Sequence, residues 1–219
     1  MLHKRFADNT SSTSVATRLR RQRFQILLDM LGDAPRVTIL DIGGRPAYWE
    51  MMAEGTDLLD RLDITLLNIE DNASTHPNFT TLVGDGRAMP QFADGQFDIV
   101  YSNSTIEHVG DFADQQRMAS EVRRVGRRYY IQTPNRCFPI EPHFVFPFFQ
   151  FLPLATRAWL LQRFNLGWMP RQPNREAALR EVRSIRLLGK ADMRKLFPDA
   201  EVFAERYMGI VKSFVAYTG

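Results

Sequence analysis

Apolar residues along the chain fall into short runs and staggered stripes, and the two kinds alternate. Between positions 15 and 31, Val15, Leu19, Phe24, Leu27, Leu28 and Leu31 recur at mostly helical spacing. Gly32 and Pro35 supply a stop, so this stretch predicts an amphipathic helix with an arginine-rich first half. A β-branched and aliphatic run at 37–42 predicts a first strand ending in a glycine turn. Helical stretches follow at about 49–53 and 57–61. Further strands are expected at 64–69, at 80–83 and at 97–101, the last introduced by the turn Ala93-Asp94-Gly95. A helix at 111–125 leads to a fifth strand at 128–132, closed by Thr133-Pro134-Asn135.

Strands alternating with helices imply βαβ units around a buried parallel sheet. The pattern breaks at 138–164, where "FPIEPHFVFPFFQFLPLATRAWLLQRF" is dense in phenylalanine and proline. Its longest uncharged run is shorter than the roughly 18 residues a membrane span needs, so it is an insertion. A helix at 175–184, a short helix halted by Pro198, and two strands at 201–207 and 213–217 complete the chain. The strands, separated by Met208-Gly209, suit an antiparallel pair at a sheet edge.

The 219 residues fit one domain, 1–219, with an N-terminal helical extension at 1–35 and a lid-like insertion at 138–175. Hydrophobic residues at 44% and charged residues at 24% place the chain among globular proteins. The net charge is only +3, and the arginine clusters at 18–23, 123–128 and 171–186 read as solvated helix faces, so nucleic acid is not implied. The single cysteine, Cys137, excludes an internal disulfide and suits a reducing compartment. Residues 1–14 are polar and serine-rich, are expected to be loose, and do not read as a secretion signal. The expected location is therefore the cytoplasm.

In an open α/β sheet, ligands bind beyond the carboxyl ends of the strands, so the residues just after each strand carry the information. Here they are Gly43-Gly44, Glu70, Asp85-Gly86 and Ser102-Asn103-Ser104. A carboxylate after the second strand is placed to accept from two ribose hydroxyls, and one after the third to accept from an adenine amine. Glycines let the backbone approach a ligand closely. Taken singly, each of these residues also suits an ordinary turn or helix cap; their order is the signal.

"ILDIGG", "LLNIE", "VGDGRAMPQFADGQFDIVYSNSTIEHV" and "RRYYIQTPN" resemble, in sequence and order, motifs of class I S-adenosylmethionine-dependent methyltransferases, especially the methyltransferase type 11 group. The resemblance covers residues of about 37 to 135. It implies a Rossmann-like α/β fold: a seven-stranded, mostly parallel sheet with an antiparallel C-terminal strand, helices on both faces, and here an aromatic-rich insertion after strand five. It also implies S-adenosylmethionine as cofactor. Glu70 would hold the ribose, Asp85 and Gly86 the adenine, and Gly43 and Gly44 would lie under the methionine portion. Ser102 and Asn103 would line the floor near the sulfonium. Asp41, near the end of the first strand, counts with them among the cofactor-binding residues, and Arg45 is placed to meet the methionine carboxylate. The family loop usually has three spaced glycines, whereas this one reads Gly43-Gly44-Arg45-Pro46-Ala47. A cofactor without phosphates needs a tight turn there, not an anion cradle. The full fingerprint that a nicotinamide dinucleotide wants is missing.

Methyl transfer from a sulfonium is mostly a matter of positioning, and a base is needed only where the acceptor must lose a proton. His108, just after the fourth strand, and His143, in the insertion, are the candidate bases. Glu141 and His143 are two potential metal ligands without an evident third, so no metal site is expected. The stretch after the fourth strand lacks the Asn/Asp-Pro-Pro-aromatic signature of amino-methylating nucleic-acid enzymes. A small-molecule or lipid-like acceptor, with oxygen as the favoured acceptor atom and peripheral membrane contact as an option, fits better. The alternative is a non-catalytic methyltransferase-like module that binds cofactor or a partner.

Overall fold

A computed structural model describes residues 15–70 and 76–219, with residues 15–19 described by backbone only. The expectation for residues 1–14 lies outside the described residues. Seven strands form one sheet: β1 (Val37–Ile42), β2 (Leu62–Asn68), β3 (Phe79–Val83), β4 (Phe97–Asn103), β5 (Gly126–Pro134), β6 (Glu201–Tyr207) and β7 (Ile210–Tyr217). Their order is β3-β2-β1-β4-β5-β7-β6, with β1 to β5 parallel and β7 antiparallel to both its neighbours. The fold class read from the sequence holds. The chain runs outward one way from β1 to β3 and the other way from β4, which puts the switch point between β1 and β4, where α/β sheets bind ligands.

Residue alternation in the central strands feeds two cores. Leu40, Ile42 and Val100 face α3 (Phe112–Val125) and α6 (Lys190–Leu196), meeting Met118, Val122 and Met193. Ile39, Ile99 and Tyr101 face α1 (Val15–Leu31) and α2 (Pro46–Ala53), meeting Phe24, Leu27 and Trp49. Helix α3 starts where it does because the Asp111 carboxylate accepts from the Asp114 amide in a capping box.

Two sequence expectations change. The strand at 213–217 begins at Ile210 instead, because Met208 (φ 50°) and Gly209 (φ 82°) make a two-residue reverse turn that pairs Tyr207 directly with Ile210. The arginine clusters are not simply solvated: Arg23 is buried and binds Glu205 at 2.9 Å, Arg128 caps Met30 O at 2.6 Å, and Arg124 reaches Met89 O and Phe92 O. Residues beyond 175 pack with the insertion. Phe144, Phe149, α4 (Leu154–Arg163) and α5 (Arg175–Arg183) share a third core, built on Ala158, Leu161, Ala178 and Val182. The N-terminal helix is as much core as extension, since Phe24, Leu27, Met30 and Leu31 are all buried.

Candidate active site

The turn after β1 is built for a close approach. Gly43 has φ 82°, and a Cβ there would overlap the Thr105 side chain, so this turn and the one after β4 touch. A Cβ on Gly44 would overlap the Asp41 carboxylate. Asn68 Nδ2 donates to Gly44 O at 2.9 Å, fastening the turn to the end of β2. Arg45 is exposed at the start of α2.

Asp41 lies beneath this turn, 1% exposed, and its Oδ2 accepts from the Trp49 indole at 2.7 Å. Oδ1 is buried without a hydrogen-bond partner among the described residues. Burial pushes its carboxyl up to about 7 in spite of the indole hydrogen bond. Glu70 is exposed at the end of β2. Asp85 accepts from Arg87 Nε and Nη2, at 2.9 and 2.6 Å, and these hydrogen bonds hold its carboxyl below the usual range. Gly86 is buried, and a Cβ there would stand 2.7 Å from Ile42 Cγ2, so core packing calls for a glycine at this position.

At the end of β4, Ser102 is fully buried and its hydroxyl donates to Ile42 O at 3.0 Å, tying β4 to β1 below the site. Asn103 is half-buried at the strand end. Ser104 takes a left-handed φ of 59°, an uncommon conformation for a non-glycine residue, held by its hydroxyl donating to Gln132 Oε1 at 2.8 Å. The chain then enters a 3₁₀ turn, Ile106–His108.

That turn meets the insertion. The rings of His108 and His143 lie edge to face, 4.8 Å between centroids. His143 Nδ1 lies 2.7 Å from Glu141 Oε1, and Glu141 Oε2 accepts from the His143 and Phe144 amides. Burial opposes charging His143, but the Glu141 hydrogen bond and charge outweigh it and raise the imidazole above its ordinary value. Glu107 is fully buried; its Oε2 accepts from Thr133 Oγ1 at 2.9 Å, and burial lifts its carboxyl to about 7. Desolvation, with His143 second, holds His108 down at about 4. Sequence reading picked out both histidines and Glu141 but gave Glu107 no role beyond the turn. Its burial depends on the distant Thr133, a contact no local pattern encodes.

Under the insertion lies a cavity of about 200 Å³, walled by Phe144, Phe149, Val182 and Leu187 and bordered by Glu141, Arg136, Arg157 and Arg186. Arg157 Nε is buried there without a hydrogen-bond partner among the described residues.

Residues 47–128 match the family model described as a methyltransferase domain. That segment, from α2 to the start of β5, is similar to a methyltransferase domain. The fold is similar to the CurJ carbon methyltransferase (TM-score 0.59, 11% identity, 94% of this chain and 55% of that one). It is also similar to magnesium protoporphyrin IX methyltransferase from Synechocystis PCC 6803, solved with S-adenosylhomocysteine (TM-score 0.54, 11% identity, 99% and 93%). A S-adenosylmethionine-dependent methyltransferase from Methanosarcina mazei gives TM-score 0.50 at 16% identity, over 88% and 95%. An uncharacterized Mycobacterium tuberculosis protein, Rv1509, is 42% identical over 55 residues, 25% of this chain; the match spans 18% of that relative's length. The methyltransferase domain implies S-adenosylmethionine as cofactor, and the edge residues fit it. The turn at Gly43 and Gly44 has no room for side chains, and the Asp41 carboxylate beneath it keeps one oxygen without a hydrogen-bond partner among the described residues. No helix among the described residues is long and apolar enough to cross a membrane.

Proposed function

We propose that the protein methylates a hydroxyl group on a small-molecule or lipid-like acceptor. S-adenosylmethionine supplies an already activated methyl group, so the protein's tasks are to position the acceptor and take up its proton. Glu70 accepts from the ribose hydroxyls, Asp85 and the Gly86 backbone meet the adenine, and Gly43, Gly44 and Arg45 meet the methionine portion. Asp41 holds that turn from below, and Asn103 borders the sulfonium end above Ser102.

The observation that carries the reading is the His143–Glu141 pair beside His108 at the end of β4. Glu141 orients His143, and its charge favours the protonated ring that results from taking a proton. The insertion supplies the acceptor site. Its inner wall is aromatic, Arg157 suits an acidic group on the acceptor, and Phe148, Phe151, Trp159, Phe164 and Trp168 stay exposed on its outside. Such an aromatic rim supports an acceptor drawn from a membrane surface. The single cysteine, exposed and free, suits a cytoplasmic setting.

Calorimetry with S-adenosylhomocysteine, followed by turnover on a panel of phenolic and isoprenoid alcohols, tests the proposal. Cofactor binding is expected, together with a roughly 100-fold or larger fall in kcat for His143→Asn at unchanged cofactor affinity. A protein that takes up no cofactor would instead be the non-catalytic module.

A further inference from the structure

Glu107, His108 and His143 each offer a ligand atom, and these atoms lie within 4.8 Å of one another. We propose that they form a binding site for a divalent transition-metal ion of the zinc type, facing the acceptor end of the sheet.

Three features of the cluster distinguish it from chance proximity. First, the donor set is one carboxylate and two imidazoles, a combination that binds zinc with a further position left open. Ligand atoms about 2.0–2.2 Å from an ion stand at most about 4 Å apart, so side-chain adjustments of an ångström or so close the set. Second, Glu107 Oε1 is fully buried without a hydrogen-bond partner among the described residues, while Oε2 is held by Thr133. A buried carboxylate oxygen with nothing to accept from is costly unless something positive meets it. Third, His143 gives Nδ1 to Glu141 at 2.7 Å, which leaves Nε2 as a lone-pair donor. A carboxylate behind a ligating histidine is the usual outer-shell arrangement, fixing the tautomer and the ring direction.

Glu141, the obvious carboxylate neighbour in sequence, is thus the supporting group, and the ligating carboxylate comes from the β4 end. His108 is exposed at the rim, so the open position of the ion faces solvent and an incoming acceptor. There an ion would lower the pKa of a hydroxyl beside it, taking over the proton problem otherwise left to a histidine base. This part rests on the hydroxyl-acceptor reading; the ion site itself does not.

The experiment is calorimetric titration of Zn²⁺ into tag-free, chelator-stripped full-length protein, with S-adenosylhomocysteine titrated separately in the absence of zinc. One equivalent of zinc is expected to bind, with affinity at least 100-fold lower in Glu107→Gln and in His143→Asn, and 10- to 100-fold lower in Glu141→Gln. His108→Asn, at the exposed rim, serves as the ligand variant if a buried one fails to fold, as judged by thermal unfolding in chelator. No zinc uptake, or uptake unchanged in these variants, overturns the site. Zinc uptake without cofactor uptake keeps the site and removes the methyl-transfer reading, and the reverse result does the opposite.

Discussion

Gly44 sits so close to Asp41 that a single methyl group on it would overlap the carboxylate bound to Trp49. The turn after β1 therefore rests on a buried acid. Gly44→Ala is expected to push Asp41 off the indole and lower stability by about 2–3 kcal/mol, the range for a hydrogen bond to a charged group. Gly32→Ala is the comparison: its φ of 53° disfavours a side chain, but nothing lies within 4 Å, so only about 1 kcal/mol should go. Urea unfolding of both variants measures the difference, and equal losses would mean that the overlap is relieved without disturbing Asp41.

Burial raises the Asp41 carboxyl to about 7, well above its unfolded value. Between about pH 4 and pH 7 the native state holds a proton that the unfolded state has released, so this group's contribution to stability falls as pH rises through that window. Asp41→Asn removes the effect while keeping an oxygen for Trp49. The stability of the variant relative to the parent should therefore climb from pH 4 to pH 7 and level off above it. Chemical denaturation at a series of pH values checks this, and a constant difference across the window would contradict it.

The two acids proposed to meet the cofactor differ in what else they do. Glu70 is exposed, whereas Asp85 is clasped by Arg87, which also binds Asp114. Glu70→Ala should weaken S-adenosylhomocysteine binding about tenfold or more, equivalent to about 1.4 kcal/mol, with the melting temperature unmoved. Asp85→Ala should lower both affinity and melting temperature, since it strips Arg87 of its main partner. Calorimetry and thermal scans on the same preparations separate the two; Glu70→Ala with parental affinity would rule out its ribose role.

The sheet was legible because its signals are local. Runs such as 37–42 and 97–101 announce buried strands whatever surrounds them. Gly43 and Gly44 were legible as a turn for the same reason. What stayed hidden depends on residues far apart in sequence. Nothing near Arg23 says that it will be buried against Glu205, and nothing near Glu107 says that Thr133 and the insertion will enclose it. Gly86 has a packing role that its sequence context did not show: the missing Cβ makes room for Ile42.

The Arg23–Glu205 pair shows how the N-terminal helix is fixed to the far end of the sheet. Arg23 Nη1 stands 2.9 Å from Glu205 Oε2, both side chains almost wholly buried, with Ser213 donating to the same oxygen at 2.8 Å. Two charges taken out of water gain from each other roughly what desolvation removes, but either one left alone keeps the whole penalty. Arg23→Met should therefore destabilise the fold by about 3–5 kcal/mol, because Glu205 loses its closest cation and keeps, among the described residues, Ser213 and the more distant charges of Lys212, at 4.0 Å, and Arg20. The double variant Arg23→Met/Glu205→Leu should recover most of that loss, since the apolar pair fills similar volume and leaves no buried charge. Unfolding free energies of the parent, the two single variants and the double variant form the required cycle. Additive single losses would show that the two residues do not act as a pair, and that α1 is held by its apolar face and by bonds such as Arg128 to Met30 O.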